Sequence, residues 1–98
     1  MSQARFLEEA EAEFLNEVQY YADVQANGAE RFRAAVEDAT ARALAFPMAG
    51  LRYRAKTRRV FVKGYPFFLA YRPDAESVVV FAVVHESRRP GYRLSRTR

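Results

Sequence analysis

Residues 77–86, "SVVVFAVVHE", contain seven consecutive apolar residues, and no other stretch constrains the fold as much. A β-strand turns successive side chains to opposite faces, so a strand apolar at both parities must be central in a sheet or covered on both sides. Val78, Val80, Ala82 and Val84 are expected on one face, with Val79, Phe81 and Val83 on the other. The neighbouring sequence supplies the sheet. "TRRVFVK" (57–63) and "FFLAYR" (67–72) are rich in valine and aromatic residues, and "GYP" and "PDAE" punctuate the three runs. A three-stranded antiparallel meander is expected. In its first strand Arg59, Phe61 and Lys63 share a face opposite Val60 and Val62.

The cover comes from the first half of the chain. Residues 8–24, "EEAEAEFLNEVQYYADV", place Phe14, Val18 and Tyr21 at helical spacing, with Glu9, Glu13 and Glu17 as a separate stripe. "QANGAE" then breaks the pattern, Asn27 and Gly28 suiting a left-handed helix end or tight loop. A second helix is expected from about Ala29, with the stripe Phe32, Val36, Ala39, Ala43 and Phe46, stopped by Pro47. So short a loop makes the helices antiparallel neighbours, whose joint apolar face must lie on another layer. "ARFLE" (4–8) fits either a first helical turn or an edge strand.

A chain of 98 residues with 50% hydrophobic content suits one compact domain, residues 1–98. It has no cysteine and one histidine, which excludes a disulfide framework, a thiolate zinc site and an all-nitrogen metal cluster. The glutamate-rich start carries no long apolar segment, so neither a signal peptide nor a membrane span is expected, and the chain reads as cytoplasmic. Charge is lopsided. Residues 1–49 hold four basic and nine acidic side chains, and residues 50–98 hold twelve basic and three acidic. A basic surface gathered in one half attracts polyanions, either nucleic acid or an acidic protein.

Most catalytic classes fail on residue supply. A metal-dependent nuclease needs clustered carboxylates, and the basic half offers only Asp74, Glu76 and Glu86. Ser77 and Ser87 sit in no strand-turn-helix elbow, and four scattered glycines make no phosphate loop. One scheme remains: metal-free RNA cleavage, in which the RNA's own 2′-hydroxyl attacks and arginines stabilise the added negative charge. His85 would exchange the proton, Tyr92 would orient it or stack on a base, and Arg54, Lys56, Arg59, Arg88 and Arg89 would clamp phosphates. No cofactor and no metal are called for.

Four segments together resemble the RelE/ParE toxins of bacterial type II toxin-antitoxin systems: "AEAEFLNEVQYY" (10–21), "ERFRAAVEDATARALAFPMAGLRYR" (30–54), "RRVFVKGYPFFLAYR" (58–72) and "VVVFAVVHESRRPGY" (78–92). The resemblance implies an α+β fold: a short N-terminal strand at "ARFLE", a two-helix antiparallel hairpin, and a twisted antiparallel β-sheet beneath it. It also implies a cognate acidic antitoxin whose C-terminal part wraps the toxin at the helix hairpin and sheet edge. Operator DNA is then met only through that antitoxin.

RelE-like members cleave ribosome-bound mRNA with basic residues on the sheet and a tyrosine near the C-terminus, whereas ParE-like members poison DNA gyrase. Tyr92, with Arg88 and Arg89 before it, resembles the RNase ending. The arginine that such RNases carry soon after the middle-strand glycine is replaced here by Pro66 or Phe67, a loss of roughly 2.7 to 4 kcal/mol of transition-state stabilisation. The resemblance therefore favours the ParE-like branch. It implies a gyrase inhibitor whose target-binding residues are Arg54, Lys56, Arg58, Arg59, Lys63, Arg88, Arg89 and Tyr92. A ribosome-dependent mRNA endonuclease using His85, Arg88, Arg89 and Tyr92 is the alternative, and an inactive antitoxin-binding member that helps repress its operon is a third.

Overall fold

The structure, a computed structural model, describes residues 4–87. Its elements in chain order are β1 (Ala4–Phe6), α1 (Glu8–Val24), α2 (Gly28–Ala45), β2 (Leu51–Arg52), a 3-10 turn at Arg54–Lys56, β3 (Arg58–Val62), β4 (Phe67–Asp74) and β5 (Ser77–His85). The strands form one sheet in the order β1-β5-β4-β3-β2. The expected meander β3-β4-β5 is antiparallel throughout, and β2 adds a short antiparallel edge that the sequence pattern did not reveal. β1 pairs parallel with β5, so the sheet is mixed rather than purely antiparallel. The reason is positional. β5 has β4 on one flank only, and β1 fills the other, with the Leu7 N–H continuing the ladder to the Val80 carbonyl at 2.9 Å.

Both helices lie on one face of this sheet. Ala10 and Val18 of α1 and Phe32, Val36, Ala39 and Ala43 of α2 are buried against Val60, Val62, Phe67, Leu69, Tyr71, Val78, Val80 and Val83. Phe46 departs from the expected stripe. The helix ends at Ala45, and Phe46 is 67% exposed in a non-helical conformation at the C-terminal cap. Neither helix has a side-chain hydrogen bond at its N-cap. In α1, Glu8, Glu9 and Glu11 place negative charge on the positive end of the helix dipole instead. Arg42, in the last turn of α2, pairs with Asp38 at 3.0 Å and donates from Nη2 to the Phe61 carbonyl at 2.7 Å, latching α2 to the β3 edge.

The alternation expected along β5 is broken once. Tyr71 faces Val80 and Ala70 faces Ala82, which leaves Phe81 as an extra residue in a β-bulge. Because side-chain direction has a period of two, one inserted residue exchanges the faces beyond it. Val83 therefore joins Val78 and Val80 under the helices, while Ala82 and Val84 turn to the opposite face beside Phe68 and Ala70. Glu13 bonds β5 beyond this bulge. Its Oε1 accepts the Val83 N–H at 3.0 Å, so this member of the glutamate stripe reaches into the sheet rather than into solvent. Glu13→Ala should lower stability by about 1 to 3 kcal/mol, because the Val83 N–H loses its acceptor, while Glu13→Gln keeps an acceptor and loses less. Urea unfolding of the two variants checks the difference.

The chain after α2 is held by Tyr71, which is 1% exposed and donates its hydroxyl to the Pro47 carbonyl at 2.8 Å. Burial raises the phenol above its ordinary range, although a hydrogen bond to the Gly50 backbone and the charge of Arg58 pull it back. Gly50 makes this approach possible. A Cβ there would stand 2.5 Å from the Tyr71 hydroxyl oxygen and 2.8 Å from the Arg59 carbonyl oxygen.

Candidate target-binding face

The face of β3, β4 and β5 turned away from the helices is built by alternation opposite Val60, Val62, Leu69 and Tyr71. It carries a small apolar patch of Phe68, Ala70, Ala82 and Val84, with Tyr53 packed on it. Arg59 lies over this patch. Its guanidinium carbon is 5.6 Å from the Tyr53 ring centre, 5.6 Å from Phe68 and 5.8 Å from Phe61. The Arg59 Nε is buried with no hydrogen-bond partner. A guanidinium held on ring faces keeps its charge and its planar donor edge, and an unpaired buried donor favours an anionic partner.

Arg72 projects to the same face. Its guanidinium carbon is 4.8 Å from the Phe81 ring, the residue that the bulge leaves unpaired, and its Nη2 donates to the Ala55 carbonyl at 2.7 Å. Its Nε, like that of Arg59, is buried without a partner.

The expected target-binding set divides on this frame. Arg59 stands on the outer face, and Lys63 stands exposed beside the Gly64 turn, where φ is +85°. Arg54 and Lys56 are exposed on the 3-10 turn, which holds Ala55 at φ 52° and Lys56 at φ 65°. Arg58 points the other way. It stands opposite Tyr71, and its Nη1 donates to the Gly50 carbonyl at 2.8 Å, fastening the chain between α2 and β2. Arg88, Arg89 and Tyr92 lie outside the described residues.

His85 is separated from the outer face. It pairs with Phe67 across the ladder, and their rings meet edge to face at 5.0 Å and 84°. Phe67 belongs to the core under the helices, so His85 and Arg59 lie on opposite faces of the sheet. Nδ1 of His85 accepts the Ser87 N–H at 3.1 Å and lies 2.8 Å from the Ser87 hydroxyl oxygen. Of the alternative nuclease set only His85 lies among the described residues, and it stands on the face opposite Arg59, one of the expected phosphate clamps.

Arg72 and Tyr53 were missed by the sequence reading. Alternation held a signal for Arg72, since it follows Tyr71 and must face away from it; Tyr53 lies outside any strand pattern. Among the described residues, no three His, Cys, Asp or Glu side chains gather as a metal site requires, and no helix is long and apolar enough to cross a membrane.

Comparison with known proteins agrees with this architecture. The search of curated proteins returned no match. A solved structure titled "Chromosomal ParDE TA system from P. aeruginosa" superposes with a TM-score of 0.59 at 15% identity, covering 87% of this chain and 96% of that one. At that identity the likeness is one of fold. The family profile described as "ParE toxin of type II toxin-antitoxin system, parDE" matches residues 4–90, which span both helices and every strand. Two helices on one face of a five-stranded sheet, with that match along nearly the whole chain, place this protein in the ParE toxin family of type II toxin-antitoxin systems.

Proposed function

We propose that the chain acts in the cytoplasm as one toxin domain, residues 1–98, that inhibits DNA gyrase by binding through its basic half and is neutralised by a cognate acidic antitoxin. The observation that carries this reading is the separation of His85 from Arg59 by the thickness of the sheet. It leaves the outer face with a rigid cation and no neighbouring histidine to move a proton, an arrangement suited to docking rather than RNA cleavage. Arg59 is the centre of the proposed target contact, with Arg54, Lys56, Lys63, Arg88, Arg89 and Tyr92 as further contacts. Arg58 contributes by holding the β2 edge in place.

The antitoxin reading is supported by exposed apolar side chains at the two places expected to be wrapped. Leu15, Tyr20 and Val24 lie on the helix hairpin, and Phe46, Met48, Leu51 and Phe61 lie around the β2 edge. Cations flank the second group at Arg42 and Arg59, complementing an acidic partner.

In the test, the purified chain is added to a gyrase supercoiling reaction and, separately, to ribosomes carrying mRNA. Inhibited supercoiling with intact mRNA is expected. Arg59→Glu should raise the concentration needed by tenfold or more, since reversing a buried interfacial charge costs about 2 to 5 kcal/mol. Normal supercoiling beside codon-specific mRNA cuts would replace the gyrase reading with the nuclease one.

A further inference from the structure

A second cationic surface lies at the β2 end of the sheet and shares Tyr53 with the Arg59 face. In the β2-β3 pair Arg52 stands directly opposite Arg58, and opposed residues of an antiparallel pair project to the same side. That side carries Val60 and Val62, so it is the reverse of the Arg59 face. There Arg52, Lys56 and Arg58 line one cleft of about 410 Å³ with Tyr53, Met48 and Pro73, and no acidic side chain lines it.

Two features of this cleft oppose folding. Like charges directly opposite in an antiparallel pair repel. No side-chain hydrogen bond or ion pair ties Arg52 or Lys56 to another described residue, and the Arg58 side chain has only Nη1 engaged, on the Gly50 carbonyl. The turn that presents Lys56 is also strained, with Ala55 and Lys56 both in the left-handed region at φ 52° and 65°. It is clamped there by Arg72 on the Ala55 carbonyl at 2.7 Å, by the Thr57 hydroxyl on the Arg54 carbonyl at 2.6 Å, and by the Tyr53 N–H on the Thr57 carbonyl at 2.8 Å. Strain held by several clamps is characteristic of ligand sites.

We propose that this cleft binds a phosphate-bearing nucleic-acid ligand. The phosphate sits among Arg52, Lys56 and Arg58, and the sugar and base lie against Tyr53, Met48 and Pro73. A carboxylate's two oxygens are satisfied by one arginine fork, whereas a phosphate accepts from several cations at once, which matches three cationic side chains lining one cleft. The volume falls in the range of small-molecule sites, roughly 300 to 1,000 Å³, and besides Thr57 the lining offers the Tyr53 ring with Met48 and Pro73 as apolar surface for a nucleobase. The inference stands whichever enzyme the toxin targets.

The test uses the purified full chain. Binding of a labelled short single-stranded oligonucleotide is measured by fluorescence anisotropy, and binding of adenosine monophosphate and inorganic phosphate by calorimetry. Arg52→Glu and Lys56→Glu should each weaken oligonucleotide binding about tenfold or more and flatten its salt dependence. Arg31→Glu, the same charge change at an exposed site on α2, should leave it nearly unchanged. Lys56→Gln, with circular dichroism, separates lost binding from lost folding. Tighter binding of the oligonucleotide than of the monophosphate assigns the ligand as a strand, and equal affinity assigns it as a free nucleotide. The proposal is overturned by an absence of binding, by equal weakening in Arg31→Glu, or by equal displacement with a polyglutamate peptide, which would make the cleft a docking site for an acidic protein.

Discussion

Gly28→Ala is expected to destabilise the chain by about 3 kcal/mol or more, lowering the melting temperature by roughly 12 to 25 °C. Gly28 opens α2 four residues after α1 ends at Val24, and its Cα is pressed against the last turn of α1. A Cβ at this position would stand 1.9 Å from the Tyr21 carbonyl oxygen and 2.7 Å from its carbonyl carbon. Both are backbone atoms of a helix, so the contact cannot be relieved by rotating a side chain. Relief requires moving α1 away from α2 at the point where Tyr21 and Phe32 stack at 5.0 Å. Gly64→Ala is the informative contrast. Nothing lies within 4 Å of a Cβ there, but its φ of +85° disfavours any side chain. Its loss should be about 1 kcal/mol, conformational rather than steric. Urea unfolding of the two variants separates the mechanisms, and equal losses would remove the steric account of Gly28.

Phe32→Ala should remove about 3 to 5 kcal/mol. Phe32 is fully buried, and four aromatic rings converge on it: Tyr21 at 5.0 Å, Tyr65 at 5.1 Å, Phe67 at 5.8 Å and Phe14 at 6.0 Å. These belong to α1, the β3-β4 turn and β4, so the cavity would open where both layers meet. A chain of this size has a total stability of order 5 to 15 kcal/mol, so the variant sits near the unfolding threshold. Chemical denaturation gives the loss directly, and near-ultraviolet circular dichroism should lose the signal of the packed tyrosines. Phe32→Leu, which refills much of the space, should retain more than half of the lost stability; a loss as large as that of alanine would mean that ring stacking outweighs volume.

Most of the secondary structure was legible because it rests on local patterns. The apolar spacing placed α1 and most of α2, and the dense valine and aromatic runs placed β3, β4 and β5 within a residue or two at most ends. β2 was not legible. Two exposed residues, Leu51 and Arg52, have no periodicity, and they form a strand only because β3 offers an edge. Phe46 misled for a related reason: its spacing continues the helical stripe, but the helix stops one residue earlier and leaves the ring in solvent.

The candidate site was legible in type and less so in arrangement. Basic residues in the second half pointed to an anionic partner, and Arg59 fell on the expected face. The expected site residues also included Arg58 and His85, which strand parity and ladder pairing put on the other side. Arg72 entered the site through Phe81, whose availability depends on a bulge that no residue type announces.

By itself, the order of side chains determined that two amphipathic helices would cover a sheet with a doubly apolar strand, because those patterns report what each segment must bury against its immediate surroundings. Only the tertiary structure decided which cations face together, that β1 closes the sheet in parallel, and that the ladder shifts at Phe81. Those outcomes depend on register between segments distant in the chain, where one residue of slippage reverses every side chain and leaves the local pattern unchanged.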